Sequence, residues 1–152
     1  MSTIRFRAIL LTAAVFSCAA GAPANAGQRA ACDLLPLADV RAVTASNVSI
    51  YLVGSNKPTV RGDTTYSNCA YVMQANGNVQ LGRFAKINLM WAPAAKLAQA
   101  RSIYTNVRHV PAAVRGGVIV TAEVGNTHLG DGPPTTDAAA SQKLLDAVLQ
   151  KM

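Results

Sequence analysis

Two runs of residues with strand-like alternation flank the dipeptide Asn76-Gly77, and this pattern constrains the fold more than any other in the chain. The runs cover residues 66–74 and 79–91, and in the second of them apolar and polar side chains alternate as in a half-buried strand. Asn-Gly at such a junction favours a type I′ turn, because both central residues of that turn need a positive φ angle. The sequence therefore predicts an antiparallel β-hairpin.

Residues 1–26 have the pattern of a secretory signal peptide, with Arg5 and Arg7 near the start and Ala24-Asn25-Ala26 as the small-residue cleavage site. The apolar run between them is about thirteen residues long, shorter than the roughly 20 that span a bilayer. We therefore expect cleavage that leaves Gly27 as the first residue. An alternative is suggested by Val15-Phe16-Ser17-Cys18, which loosely resembles a lipobox and would anchor the protein through a lipidated Cys18.

Three cysteines occur in the chain, and one of them, Cys18, lies inside the targeting segment. The remaining pair, Cys32 and Cys69, would form one disulfide in an oxidising compartment. A redox role would more usually show C-x-x-C spacing. The cysteines thus predict a structural disulfide and a periplasmic or secreted location.

The pattern along the rest of the chain predicts a flexible lead-in at residues 27–31 and a single domain over residues 32–152. Beyond the hairpin, the expected elements are helices at 33–43, at 94–105 and from a cap at Thr135 or Thr136 to the end, strands at 48–53 and 118–124, and loops at 54–65 and 125–134. This order predicts an α+β fold, an antiparallel sheet with two to three helices packed on one face and one disulfide.

The charge balance limits the classes of partner. Removal of Arg5 and Arg7 from the fourteen Lys and Arg residues leaves twelve cations against seven acids, a net charge of +5. These cations are scattered, whereas nucleic-acid-binding proteins usually concentrate them in a patch or stripe. We expect no nucleic-acid partner, no cofactor and no transmembrane segment in the mature form. An anionic glycan, a lipid headgroup or another envelope protein remains as a partner.

The loop at residues 125–132 is the most suggestive candidate binding site in the sequence. Its glycines would let a ligand approach the backbone, and Asn126, His128 and Asp131 would supply polar contacts. The loop lacks the oxygen spacing of a calcium loop and the glycine order of a dinucleotide turn. A second candidate surface is the other face of the strand at 79–91, where Phe84, Lys86, Asn88 and Met90 combine apolar and cationic side chains. The alternative is that a helix covers Phe84 and Met90.

Catalytic and metal chemistry have few candidates. His109 and His128 are the only histidines, and their spacing matches no metal-ligand pattern. No G-x-S-x-G elbow is present. We therefore expect no metal site and assign no catalytic residue, although a hydrolase that uses His109 or His128 is an alternative.

The segments Cys32-Asp33-Leu34-Leu35 and Ser67-Asn68-Cys69-Ala70-Tyr71, followed by a C-terminal amphipathic helix, resemble a loose group of small exported bacterial proteins and lipoproteins. The resemblance implies an α+β sandwich of the PsbP/Mog1-like kind for some members and implies no catalytic residues.

These observations favour an exported, non-catalytic envelope protein that binds a macromolecule, a glycan or another ligand through its sheet face or the 125–132 loop. The alternatives are a secreted hydrolase and a secreted effector or inhibitor of another protein. An inhibitor would use a protruding loop, for which residues 54–65 are the candidate.

Overall fold

A computed structural model describes residues 28–44, 49–55, 57–75, 78–126 and 135–152. The helices are α1 (Ala31–Leu34), α2 (Leu37–Thr44), α3 (Ala94–Ser102), which continues into a π-helical turn (Ile103–Val107), and α4 (Ala138–Leu149). The strands are β1 (Ile50–Ser55), β2 (Thr59–Arg61), β3 (Thr64–Ala75), β4 (Asn78–Trp91), β5 (Ala112–Arg115), β6 (Val118–Asn126) and β7 (Thr135–Thr136).

The strands form one antiparallel sheet in the order β1-β3-β4-β6-β5, with β2 paired to β3 and β7 paired to β6. The predicted hairpin is confirmed as the β3–β4 pair, which runs from Thr65 opposite Trp91 to Ala75 opposite Asn78. Its turn residues, Asn76 and Gly77, lie outside the described residues. Pro111 precedes β5, which is an edge strand, where a missing backbone donor costs no ladder hydrogen bond.

One face of the sheet carries the main core and is covered by α1, α2 and α4, so the predicted α+β arrangement is confirmed. The odd-numbered side chains of β3 and β4 and the even-numbered ones of β6 point to this face. The fully buried side chains of this core include Ile87, Leu89, Val120 and Val124 from the sheet and Leu144 from α4. Burying an aliphatic side chain of this size contributes about 1.5–3 kcal/mol. No helix among the described residues is long and apolar enough to cross a membrane.

The opposite face of the sheet is only partly covered. Helix α3 lies over one end of it, where Leu97 packs with Ala112 and Ile119 in a second, smaller apolar cluster. Partly buried Met90 and Tyr104 border that cluster. The remaining part of this face carries the groove described below.

The first predicted helix is in fact two short helices. The sequence predicts one helix over residues 33–43, with Pro36 at an N1 position. In the structure the helix is interrupted between Leu34 and Leu37. Leu35 has φ −121° and ψ 71°, outside the helical region. The cause is Pro36, since a proline ring clashes with a helical conformation of the preceding residue.

The final helix starts differently from the expectation. Asp137, not Thr135 or Thr136, is the N-cap residue, and its carboxylate accepts a hydrogen bond from the Ala140 amide at 2.9 Å. The two threonines form β7 instead. The amide hydrogen bond is the main cause that lowers the pKa of Asp137. Aspartate satisfies an otherwise unpaired helix N–H at this position.

The motif residues that carry the family resemblance meet at α1. This helix has four residues and no side-chain cap, so it depends on tertiary contacts. Three consecutive inward side chains of β3 hold it: Ser67 Oγ accepts from the Ala31 amide at 2.9 Å, Cys69 forms the disulfide with Cys32, and Tyr71 Oη donates to the Leu35 carbonyl at 3.2 Å. The motif is therefore structural.

The expected irregular loop at 54–65 contains a strand. β2 pairs with the start of β3, with Thr59 opposite Tyr66 and Arg61 opposite Thr64. The tight reversal between the two strands uses Gly62, whose φ of 63° favours glycine. All three β2 residues are exposed, so the sequence of this strand has no hydrophobic periodicity from which it could be predicted.

Candidate binding groove

The groove lies on the sheet face opposite α1, α2 and α4, and its volume is about 650 Å³. Its floor comes from β3, β4 and β6, because the register of the three strands brings their polar side chains into rows. Asn68 lies opposite Asn88, which in turn lies opposite Thr121. Side chains of directly opposed residues are about 5 Å apart, close enough to act together on one ligand.

The row next to it is charged. Lys86 of β4 lies opposite Glu123 of β6, and the Lys86 Nζ–Glu123 Oε2 distance is 2.8 Å. The Lys86 side chain is 40 % exposed and that of Glu123 17 %, so the pair still faces the solvent in the groove. In the neighbouring row, the Asn88 amide donates to Thr121 Oγ1 at 3.1 Å. The floor therefore presents fixed hydrogen-bonding groups of both polarities.

Two separate elements flank this floor. On the β3 side, β2 contributes Thr59 and Arg61 to the lining. On the other side, the end of the π-helical turn contributes Tyr104 and Arg108, and the Arg108 guanidinium carbon lies 5.5 Å from the centroid of the Tyr104 ring. An arginine over an aromatic face is held by cation–π attraction.

The flanking elements are joined through a surface ion pair. Lys96 Nζ of α3 lies 2.6 Å from Oδ1 of Asp63, which belongs to the turn between β2 and β3. The Lys96 ammonium beside Asp63 holds the pKa of that carboxyl below its ordinary value of 3.8, and the Thr64 hydroxyl acts in the same direction. Both side chains are about half exposed, so the pair is screened by salt.

We expect the ion pair to make the link between the two sides of the groove sensitive to acid. Because the folded-state pKa of Asp63 is lowered, its contribution to stability is present above 3.8 and is lost as the pH falls through the lowered value. Carboxyl-carbon NMR should give Asp63 a pKa below 3.8, and Lys96→Gln should raise it towards 3.8. Lys143→Gln on α4 is the matched control, and an Asp63 pKa that ignores both substitutions would contradict this assignment.

The groove carries an excess of positive charge. Arg61, Lys86 and Arg108 line it together with one acid, Glu123, which gives these four side chains a net charge of +2. Lys86 is paired with Glu123. Within the part of the chain that the structure describes, neither Arg61 nor Arg108 takes part in an ion pair. Two guanidiniums at the groove thus stay available to an anion.

The loop candidates from the sequence do not contribute to this groove as far as the structure describes them. Asn126 is exposed at the end of β6, opposite Arg83 and Thr135, and does not line the groove. His128 and Asp131 lie outside the described residues. The second candidate surface does contribute to the groove, because Lys86 lies in the groove floor.

His109 has a structural place in the chain. It is exposed and has a φ of 53°, and the next amide, that of Val110, donates to the Tyr104 carbonyl at 2.9 Å. This geometry is a helix C-terminal cap in which a left-handed residue reverses the chain. The described residues contain no group of three or more His, Cys, Asp or Glu side chains able to hold a metal.

Replacing His109 by glycine should raise the free energy of unfolding by about 1 kcal/mol, because a left-handed conformation strains every residue with a Cβ atom. Urea unfolding of the wild type and the variant measures the difference. His109→Ala is the control and should give no such gain. A glycine variant less stable than the wild type would contradict the role of His109 as a cap.

Sequence reasoning missed Arg61, Tyr66, Tyr104 and Arg108, all of which line the groove. Tyr66 could have been found, since it lies on the outward face of the predicted strand 66–74. Arg61 lies on a short exposed strand without hydrophobic periodicity, and Tyr104 and Arg108 reach the groove through the packing of α3 on the sheet, so no local pattern indicates them. Searches of protein-family models, curated proteins and solved structures find no match to this chain.

Proposed function

We propose that the protein is an exported, non-catalytic binding protein of the bacterial envelope whose ligand occupies the groove on the open sheet face. The observation that carries the proposal is the groove itself, with about 650 Å³ of space over rows of polar and charged side chains. Ligand sites commonly measure about 300–1,000 Å³ and combine apolar walls with a few placed polar groups. Met90, Tyr66 and Tyr104 supply the apolar part of this lining.

Export is supported by two independent features. Residues 1–26 have the composition of a signal peptide. The disulfide between Cys32 and Cys69 is of a kind that persists in oxidising compartments and is rare in the bacterial cytosol. The mature chain would then lie in the periplasm or outside the cell. The alternative is an exported chain that a lipid at Cys18 anchors to the membrane.

Intact-mass spectrometry of the protein recovered from the envelope of an expressing bacterium tests export. We expect a chain that starts at Gly27 and gains the mass of two hydrogen atoms upon reduction, as one disulfide requires. A chain that starts at Cys18 and carries acyl groups would support the lipid-anchored form. Full-length protein with free thiols would contradict export.

Binding in the groove is tested on a glycan array that holds neutral and acidic oligosaccharides, with the fluorescently labelled mature domain. We expect wild type to bind a subset of glycans and Asn88→Trp, which fills the floor, to lose that binding. Gln142→Trp on the exposed side of α4 is the matched control. Equal binding by Asn88→Trp, with its thermal unfolding unchanged, would contradict the groove as the site, whereas an array without any binding would contradict a glycan as its ligand.

A further inference from the structure

Arg61 and Arg108, which take part in no ion pair among the described residues, and the polar rows of the groove floor point to one class of ligand. We propose that the groove binds an acidic oligosaccharide, whose carboxylate or other anionic substituents are held by Arg61 and Arg108. This inference rests on the proposed function and adds the chemistry of the ligand. The positions of the cations, the polarity of the floor and the shape of the lining support this ligand class.

Arg61 and Arg108 can bind anionic groups at two positions of the groove. Arg61 comes from β2, and Arg108 follows the π-helical turn, so the two guanidiniums reach the groove from different elements. Arginine binds carboxylates through paired N–H donors in a fixed fork. Tyr104 restrains the Arg108 side chain through its ring contact at 5.5 Å, which lowers the entropy that binding would cost. A ligand with repeated acidic groups fits this arrangement better than one with a single charge.

The floor suits sugar hydroxyls. Hydroxyl groups both donate and accept hydrogen bonds, and the floor offers the Asn88 amide, the Lys86 ammonium and the Glu123 carboxylate at neighbouring positions, while buried Thr121 holds the Asn88 amide. The residues are held by contacts to each other, so the groups are already oriented before a ligand arrives. A lipid acyl chain would instead desolvate these polar groups without replacing their hydrogen bonds, which is unfavourable.

The lining also supplies flat apolar surface. Tyr66 is 40 % exposed at one end of the floor, and Tyr104 stands at the flank with its ring partly buried. The C–H faces of a sugar ring pack well on such rings, and tyrosine keeps a hydroxyl for the wet edge. The groove is partly open to solvent, so an oligosaccharide can enter without being fully enclosed.

Isothermal titration calorimetry on the disulfide-bonded mature domain tests the inference. The probes are tetrasaccharides of galacturonate, of alginate and of hyaluronan, each compared with its carboxyl-reduced, neutral counterpart. We expect at least one acidic probe to bind and its neutral counterpart to bind at least about tenfold more weakly, since the neutral probe loses the charge-assisted hydrogen bonds to the guanidiniums. The affinity should also fall with added salt.

Variants assign the effect to the groove. Arg61→Gln and Arg108→Gln should each weaken binding of the acidic probe by about tenfold, because each removes one charged donor group. Arg101→Gln is the matched control, an exposed arginine of α3 that does not line the groove, and should bind as wild type does. A loss equal in all three variants would overturn the assignment, because it would indicate attraction by net charge alone.

The remaining outcomes separate this inference from the proposed function. Equal affinity for acidic and neutral probes, or array binding confined to neutral glycans, would overturn the ligand class while the groove remained the site. Failure of every acidic probe would also overturn it. Binding to phosphatidylglycerol vesicles without binding to any tetrasaccharide would replace the glycan by a lipid surface. If every groove variant keeps its array binding, the proposed function is overturned instead.

Discussion

Replacing both Cys32 and Cys69 by alanine should lower the free energy of unfolding by about 4 kcal/mol. The bridge closes a loop of 37 residues, and a cross-link of that span restricts the unfolded chain by roughly this amount. The folded state also depends on the bridge, since α1 has only four residues and is joined to β3 by it. Without the bridge, two hydrogen bonds remain, from Ala31 to Ser67 and from Tyr71 to Leu35.

Urea unfolding of wild type, the double alanine variant and wild type under reductant measures this loss. Reduced wild type should resemble the variant, because both lack the cross-link. Ser67→Ala is a useful comparison: it removes one hydrogen bond to α1 and should cost only about 1–2 kcal/mol. A double variant within 1 kcal/mol of the oxidised wild type would contradict the role of the disulfide as the main attachment of α1.

The second large effect is expected at Gly125, where Gly125→Ala should cost about 2–3 kcal/mol. A Cβ atom built there would collide with the Thr135 carbonyl and would lie 2.8 Å from Cζ of Phe84. The backbone obstacle cannot rotate away, so β7 would have to shift from β6, and with it the start of α4, where the Asp137 amide donates to Val124 at 2.7 Å. Overpacking of this kind typically costs 1–3 kcal/mol.

Gly54→Ala provides the matched control. Gly54 also lies in a strand, but a Cβ atom there would meet only the Ala70 side chain at 3.6 Å, an ordinary contact. Alanine reduces the freedom of the unfolded chain, so this variant should be as stable as wild type or slightly more stable. Thermal unfolding of both variants measures the contrast. Equal stability of Gly125→Ala and Gly54→Ala would contradict the close packing of β7 and Phe84 over Gly125.

The hairpin and the covered face of the sheet were predictable because their signals are local. Alternation over 79–91 fixes which residues of β4 face the core, and the observed burial of Ile87 and Leu89 follows that alternation. The disulfide followed from the small number of cysteines. Pro36 starts a helix as predicted, since the Val40 amide of α2 donates to its carbonyl, but its ring also keeps Leu35 out of the helical conformation and thereby ends α1.

The groove was predictable only in part. Lys86 and Asn88 were recognised as outward residues of one strand, but their partners Glu123 and Thr121 depend on the pairing of β4 with β6, which are separated by α3 and β5. Arg61 comes from a strand of three exposed residues that has no hydrophobic periodicity. Arg108 reaches the groove only because α3 packs on the open face. Long-range pairing, not local pattern, assembles this site.

The resemblance to small exported proteins concerned residues that hold α1 to β3. Leu34 and Leu35 are buried in the main core, and Cys32, Ser67 and Tyr71 make the attachments described above. These contacts serve the fold, and the groove lies on the other side of the sheet.

The most direct test of the groove as the binding site is a two-dimensional amide NMR titration of the mature domain with the acidic tetrasaccharide that binds most tightly in the calorimetric comparison. The account predicts that the signals of Asn68, Asn88 and Thr121 shift together with increasing probe, while those of α4 on the covered face stay in place. Shifts confined to Asn126 and the loop that follows it, shifts confined to the helical face, or no shift at all would contradict the account.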